Sequence, residues 1–243
     1  MRKLAGVEDP TRIPRILDRL RQTWEGQPDV PLATLFGILA NRGAGWGTVD
    51  EELEELLVAE AQAHPAELPR TESGQVKSSF LVETTSPHHR VTLTEGGDVV
   101  VRAMGDRERQ PSVWSYSTVR PTGPGRMLVV ADSEGMEHRL GVVTLISRLD
   151  DAAHHRGGGA GPESVEREDI GNNVWLAVLE GGTRVLVTQR LHIWQVEGRT
   201  VKKTTHAWNQ VVRCRVGENF VYVPSGGGDG VLGVVDKLLL VET

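Results

Sequence analysis

The chain changes its hydrophobic rhythm once, near residue 70: apolar side chains recur every three or four positions before it and every second position after it. Ile13, Ile16, Leu17 and Leu20 make the first helical run, with Asp9-Pro10-Thr11 ahead as a cap and Gly26 as a stop. Leu32, Leu35, Phe36 and Leu39 share one face of a second helix over Leu32 to Leu39, and Asn41 to Gly47 reads as a turn. The third runs from Asp50 to His64. Asp50 is its N-cap, acids fill the first turn where the helix dipole favours them, and Leu53, Leu56, Leu57 and the Glu60-Ala61 pair lie along the seam. The pattern therefore predicts a helical head over residues 1–68.

From about Val76 the alternation and the glycine-rich turns predict short strands. They fall at Phe80 to Thr84, Arg90 to Thr94, Val99 to Ala103, Val113 to Val119, Arg126 to Ala131, Val174 to Leu179, Arg184 to Thr188, Leu191 to Val196, Val201 to His206, Val211 to Val216 and Phe220 to Val223. Residues 156–169, beginning Arg156-Gly157-Gly158-Gly159-Ala160-Gly161-Pro162, have the composition of a flexible linker.

The two groups of strands match each other. Arg90-Val91-Thr92-Leu93-Thr94 overlies Arg184-Val185-Leu186-Val187-Thr188 at an offset of 94, which also puts Trp114 on Trp208 and Met127 to Val130 on Val221 to Pro224. An offset of 92 lays Leu140-Gly141-Val142-Val143 on Leu232-Gly233-Val234-Val235, read in both copies as the start of an apolar helix that continues in the first through Ile146, Leu149 and Ala153. The expected fold class is α+β: a three-helix segment, then two tandem antiparallel β modules, residues 76–155 and 170–243, each closed by a C-terminal helix.

Two resemblances accompany these patterns. Ile16, Leu17, Leu20, Trp24, Pro28, Asp29, Leu32, Leu35 and Phe36, followed by Asp50 and the Leu53-Leu56-Leu57 helix, resemble a family of short uncharacterised bacterial and phage-associated helical proteins, which implies a phage-related or stress setting and no activity. Leu186-Val187-Thr188-Gln189-Arg190-Leu191-His192-Ile193-Trp194, with Trp114 to Val119 and the Leu140 to His154 segment in the first copy, resembles the bacterial pleckstrin-homology-like (PH-like) modules. That likeness implies a small sheet plugged by one helix and surfaces that bind proteins, peptides or lipids.

Composition narrows the setting. Net charge is −6, which argues against a histone-like role, and Cys214 is the single cysteine, so an internal disulfide and a cysteine zinc site are excluded. The amino-terminal residues lack a signal peptide's apolar core, and the longest apolar stretch, Val231 to Val241, is broken by Asp236 and Lys237. A cytoplasmic protein with no transmembrane segment is expected.

Candidate chemistry is sparse. The eight histidines form no His-Glu-x-x-His or Cys/His pattern. Asp150 with His154 and Asp151 with His155 could share a helix face and hold a metal weakly, but histidines ending a helix also answer its dipole, so no metal and no cofactor are assigned. The glycine runs lack a P-loop lysine, and alternation puts Cys214 on an apolar face with Val212 and Val216, so no catalytic residue is assigned either.

One constellation stands out. Arg184 to Val216 holds seven basic residues against Glu197 alone. In an extended chain Arg190, His192 and Trp194 share the face opposite Leu191 and Ile193, and with Lys202, Lys203, Arg213 and Arg215 they form the candidate ligand-binding set. An exposed face of this kind suits a protein partner, or a nucleic acid or other polyanion stacking on the indole. The bland alternative is a solvated face with Trp194 covered by the head or by the other module. A non-catalytic protein-binding or assembly role is expected, with nucleic-acid binding and an unrecognised His/Asp enzyme site as alternatives.

Overall fold

The computed structural model describes residues 10–106, 108–149, 161–198 and 200–243. The Asp150/His154 and Asp151/His155 pairs, Asp9, Arg199 and residues 156–160 of the linker lie outside the described residues. No described helix is long and apolar enough to cross a membrane.

Three helices open the chain: α1 (Arg12–Glu25), α2 (Leu32–Asn41) and α3 (Asp50–Ala63). Six antiparallel strands follow as a closed barrel: β1 (Phe80–Thr85), β2 (His89–Leu93), β3 (Asp98–Ala103), β4 (Ser112–Val119), β5 (Met127–Asp132) and β6 (Glu137–Arg148). The remaining strands are β7 (Val165–Glu166), β8 (Val174–Leu179), β9 (Arg184–Val187), β10 (Leu191–Glu197), β11 (Thr200–His206), β12 (Trp208–Arg213), β13 (Asn219–Pro224) and β14 (Gly230–Glu242). They form one sheet in the order β11-β10-β9-β8-β14-β13-β12-β7. The mixed α+β class is thus present, as helices first and antiparallel strands after.

The strand orders correspond. Read from β3, the barrel runs β3-β2-β1-β6-β5-β4; without β11 and β7, the second sheet runs β10-β9-β8-β14-β13-β12. Each strand meets its counterpart in the same place, and β1 and β8 are separated by the same 94 residues at both ends. What differs is closure: β3 pairs with β4, whereas β10 pairs with the extra strand β11.

The expected C-terminal helices are strands instead. Leu140 to Arg148 lies in β6 and Leu232 to Val241 in β14. The cause is local: β-branched Val142, Val143, Thr144 and Ile146 favour the pleated backbone. Gly141 (φ +112°) and Gly233 (φ +128°) also sit in a backbone region closed to helices. The plug helix that the PH-like resemblance implies is therefore absent at these positions. Part of the predicted linker is ordered as well, since Val165 and Glu166 form the edge strand β7 against β12.

The contacts divide the chain into two compact units. Met1–Lys77, Val82–Pro87 and Ser117–Arg148 make the first; Ser78–Leu81, His88–Tyr116 and Leu149–Thr243 make the second.

In the first unit α1 and α3 are tied by Arg12 to Asp50 (2.6 Å) and Arg15 to Glu54 (2.8 Å). Leu35, Leu39 and Leu57 are buried, and so is Glu60. The Gln27 amide donates to the Glu60 Oε1 at 2.8 Å, and the Arg42 guanidinium stands 2.5 Å from its Oε2 as an ion pair that meets the charge without hydrogen-bond geometry. The helical periodicity is right, yet Ile13, Leu17 and Phe36 are exposed.

In the second unit Trp175, Ala177, Leu179, Val185, Val187, Leu191, Ile193, Trp208, Val211, Phe220, Tyr222 and Val235 share one core with Leu81 and Leu149. Trp208 and Phe220 are wholly buried, each contributing about 1.5–3 kcal/mol by the area removed from water. The other face of β8, β9 and β14 is apolar too: Leu176, Leu186, Leu239 and Val241 pack against Val100 and Val113 of β3 and β4. Polar contacts fix that packing. Arg90 and Arg102 grip the two oxygens of Glu242 at 2.7 and 3.0 Å, Thr92 donates to the Val241 carbonyl at 2.9 Å, and Lys237 reaches Asp98 at 2.7 Å.

Candidate functional site

Strand alternation puts Arg184, Trp194 and Lys203 side by side. Trp194 pairs with Arg184 across β9 and with Lys203 across β11, so the three side chains stand in a row on one face. His192 is two positions along β10, next to Leu186 and Thr205 on that same face. Leu191 and Ile193 point into the core, as the alternation predicts.

The connection from β3 to β4 runs beside this row and leaves a recess of about 300 Å³, within the second unit. Ala103, Met104, Pro111, Leu186 and Trp194 supply its apolar lining; Arg102, Asp106, Arg109, His192 and Lys203 supply the polar groups. That volume is at the lower end for a small-ligand cleft, and an apolar wall with a few convergent polar groups is the usual make-up of one.

Each polar group has a distinct standing. The Lys203 ammonium lies 5.4 Å from the centre of the Trp194 ring and 3.2 Å from the Glu108 carboxylate. The indole N–H of Trp194 donates to the Glu108 carbonyl at 2.9 Å, so one residue of the connection is held by both neighbours of the row. Arg184 donates to the Pro111 carbonyl, while its Nε is buried with no hydrogen-bond partner and burial lowers its pKa. Arg109 makes no side-chain hydrogen bond or ion pair among the described residues. His192 accepts from or donates to Thr205 at 3.1 Å, and burial, then Lys203 and Arg190, hold its pKa below the ordinary 6.5.

Of the seven residues that the sequence singles out, His192, Trp194 and Lys203 are brought together here. The other four do not line the recess. Arg190 is in the turn before β10, and Lys202 projects from the opposite face of β11. Arg213 ends β12, five places from β10 in the sheet order, and pairs with Glu218 at 3.2 Å; Arg215 follows the strand and pairs with Glu163. The single cationic face is therefore dispersed, because equal sequence spacing does not carry across strands that sit at opposite ends of a sheet. Nor is the indole an open platform: Trp194 is 4 % exposed. It is the alternative of a covered Trp194 that describes the molecule, and the cover is the β3–β4 connection.

Arg102, Met104, Asp106, Glu108 and Arg109 escape the sequence reading. Their signal was length and charge: the eight residues between Ala103 and Ser112 are long for a hairpin connection and include Asp106, Glu108 and Arg109. Among the described residues no three His, Cys, Asp or Glu side chains are grouped so as to hold a metal ion. Cys214 is buried, and burial with the nearby Glu163 pushes its thiol up to about 12, far from a nucleophile's range. No protein-family model, curated protein or solved structure matches the chain.

Proposed function

We propose that this is a binding protein that takes an acidic side chain of a protein partner into the recess beside Trp194. The observation that carries the reading is the lining itself: an apolar wall of Trp194, Leu186, Met104 and Pro111 beneath the cations of Arg109 and Lys203. A cavity of about 300 Å³ has room for one side chain with its flanking peptide rather than for a polymer. A protein as partner is favoured further by the helical head, where Ile13, Leu17, Phe36 and Trp46 are exposed and Trp46 lies wholly in solvent. Nucleic-acid binding finds less support, since Lys203 already covers the Trp194 ring and both Arg213 and Arg215 are paired with acids.

Filling the recess tests this. Ala103→Phe places a ring where the lining is now a methyl group. Wild-type protein should recover a stoichiometric partner from native lysate, and the variant, folded by its circular dichroism, should lose it. Equal recovery by both proteins overturns the reading.

A further inference from the structure

We infer that α1 pairs with the α1 of a second copy of this chain, antiparallel and about a two-fold axis between Leu17 and Leu20. The surface lies in the helical head, apart from the recess, and does not depend on the recess reading.

One side of α1 is taken by α3. Arg12 pairs with Asp50, Arg15 and Arg19 with Glu54, and the Thr23 hydroxyl donates to the Leu57 carbonyl at 3.0 Å, so Arg12, Arg19 and Thr23 mark that side. Ile13, Leu17, Leu20 and Trp24 fall on a different stripe, about a third of a turn away. Ile13, Leu17 and Trp24 are 53, 59 and 39 % exposed, a row of large apolar side chains turned to water.

The spacing of this row selects its occupant. The intervals are four, three and four residues, the same read from either end. Turned end for end on a two-fold axis, the row meets itself in register, Ile13 opposite Trp24 and Leu17 opposite Leu20, as an isologous contact requires. A different protein would need no such palindrome.

Charge agrees with this pairing. Asp18 and Arg21 are 65 and 60 % exposed on the open flank of α1. The two-fold sets Arg21 of one copy about 3 Å along the axis from the level of Asp18 in the other, whereas a parallel pair would set like charges level. The four side chains offer roughly 400 Å² per copy, about half of what each partner gives to a stable interface. The dimer is therefore reversible, with a Kd on the order of 10–100 µM. Phe36 and Trp46, on α2 and on the loop before α3, are outside the row and stay open to another protein.

Sedimentation velocity of the full-length chain from about 5 to about 500 µM tests this. Wild type should pass from monomer to dimer across that range. Leu17→Glu, at an exposed site, should weaken the dimer about tenfold or more, because it puts a charge against Leu20 of the other copy. Should that variant lose its helical circular dichroism, Ile13→Glu carries the same expectation. Arg21→Glu should weaken the dimer about threefold, and adding Asp18→Lys should restore it. Trp46→Ala should change nothing. A chain that stays monomeric throughout overturns the inference, as does a dimer indifferent to Leu17→Glu or one that Trp46→Ala disperses. A dimer that Arg21→Glu leaves unchanged overturns the antiparallel arrangement.

Discussion

Gly141 lies so close to the carbonyl of Pro87 that a Cβ on it would stand 2.7 Å away, with the Thr84 hydroxyl and the Thr85 carbonyl at 2.8 Å. Its φ of +112° adds a second reason for glycine at this step of β6. Gly233 holds the equivalent step of β14 with φ +128°, but there a Cβ would only touch Leu179 at 4.0 Å. The two substitutions should therefore separate strain from collision. Gly233→Ala should cost about 1–2 kcal/mol from backbone conformation alone, and Gly141→Ala about 3 kcal/mol or more, because backbone carbonyls cannot swing aside. Urea unfolding of both variants checks the order. Equal losses would show that the contact at Pro87 relaxes.

These glycines also mark how far the sequence could be read. The Leu-Gly-Val-Val pairing of the two halves was legible, as were the strands other than β6, β7 and β14, because a half-buried strand writes its period into the chain. What the pairing became was misread: Val-Val-Thr-Leu-Ile-Ser has apolar residues that also fit helical spacing, but its β-branched residues and the positive φ of Gly141 belong to a strand. The recess was legible in half. Its β10–β11 wall follows from alternation around Trp194, but its other wall comes from Arg102 to Pro111, about ninety residues earlier, and no local spacing reports a contact of that range.

Cys214 provides a probe of opening. Its thiol is 1 % exposed and pushed up to about 12, so at neutral pH almost no thiolate exists and reagents cannot reach it. Native protein should react with an aromatic disulfide reagent only as fast as the second unit opens, and the rate should rise steeply in urea. Immediate full reaction in buffer would contradict the burial.

Glu60 should reveal a dependence within the head. Its carboxylate is 1 % exposed and relies on Gln27 and on the partly exposed Arg42. Arg42→Met leaves that charge with less compensation and should cost about 1–3 kcal/mol, less than a fully buried pair because water still reaches Arg42. Adding Glu60→Gln removes the charge and keeps the shape. The double variant should recover part of the loss, a coupling that a double-mutant cycle reads directly.

His192 links the recess to pH. Burial is the main cause of its lowered pKa, the charges of Lys203 and Arg190 add to it, and Glu108 alone among the named neighbours opposes it. In the unfolded chain its pKa returns to about 6.5, so there the proton binds first as the pH falls. The contribution of neutral His192 is accordingly complete above about 6.5 and is lost as the pH drops below that value toward the folded-state pKa. His192→Gln should flatten the fall in urea midpoint between pH 7.5 and pH 5.5. The neighbours set the sign of two further shifts. Glu108→Gln removes the one group that raises the imidazole pKa and should lower it, while Arg190→Gln removes a cation and should raise it. Titrating the His192 ring protons by nuclear magnetic resonance in the two variants checks both directions. A Glu108→Gln value that does not move would mean that its carboxylate lies outside the field of the recess, and an upward movement would contradict the sign.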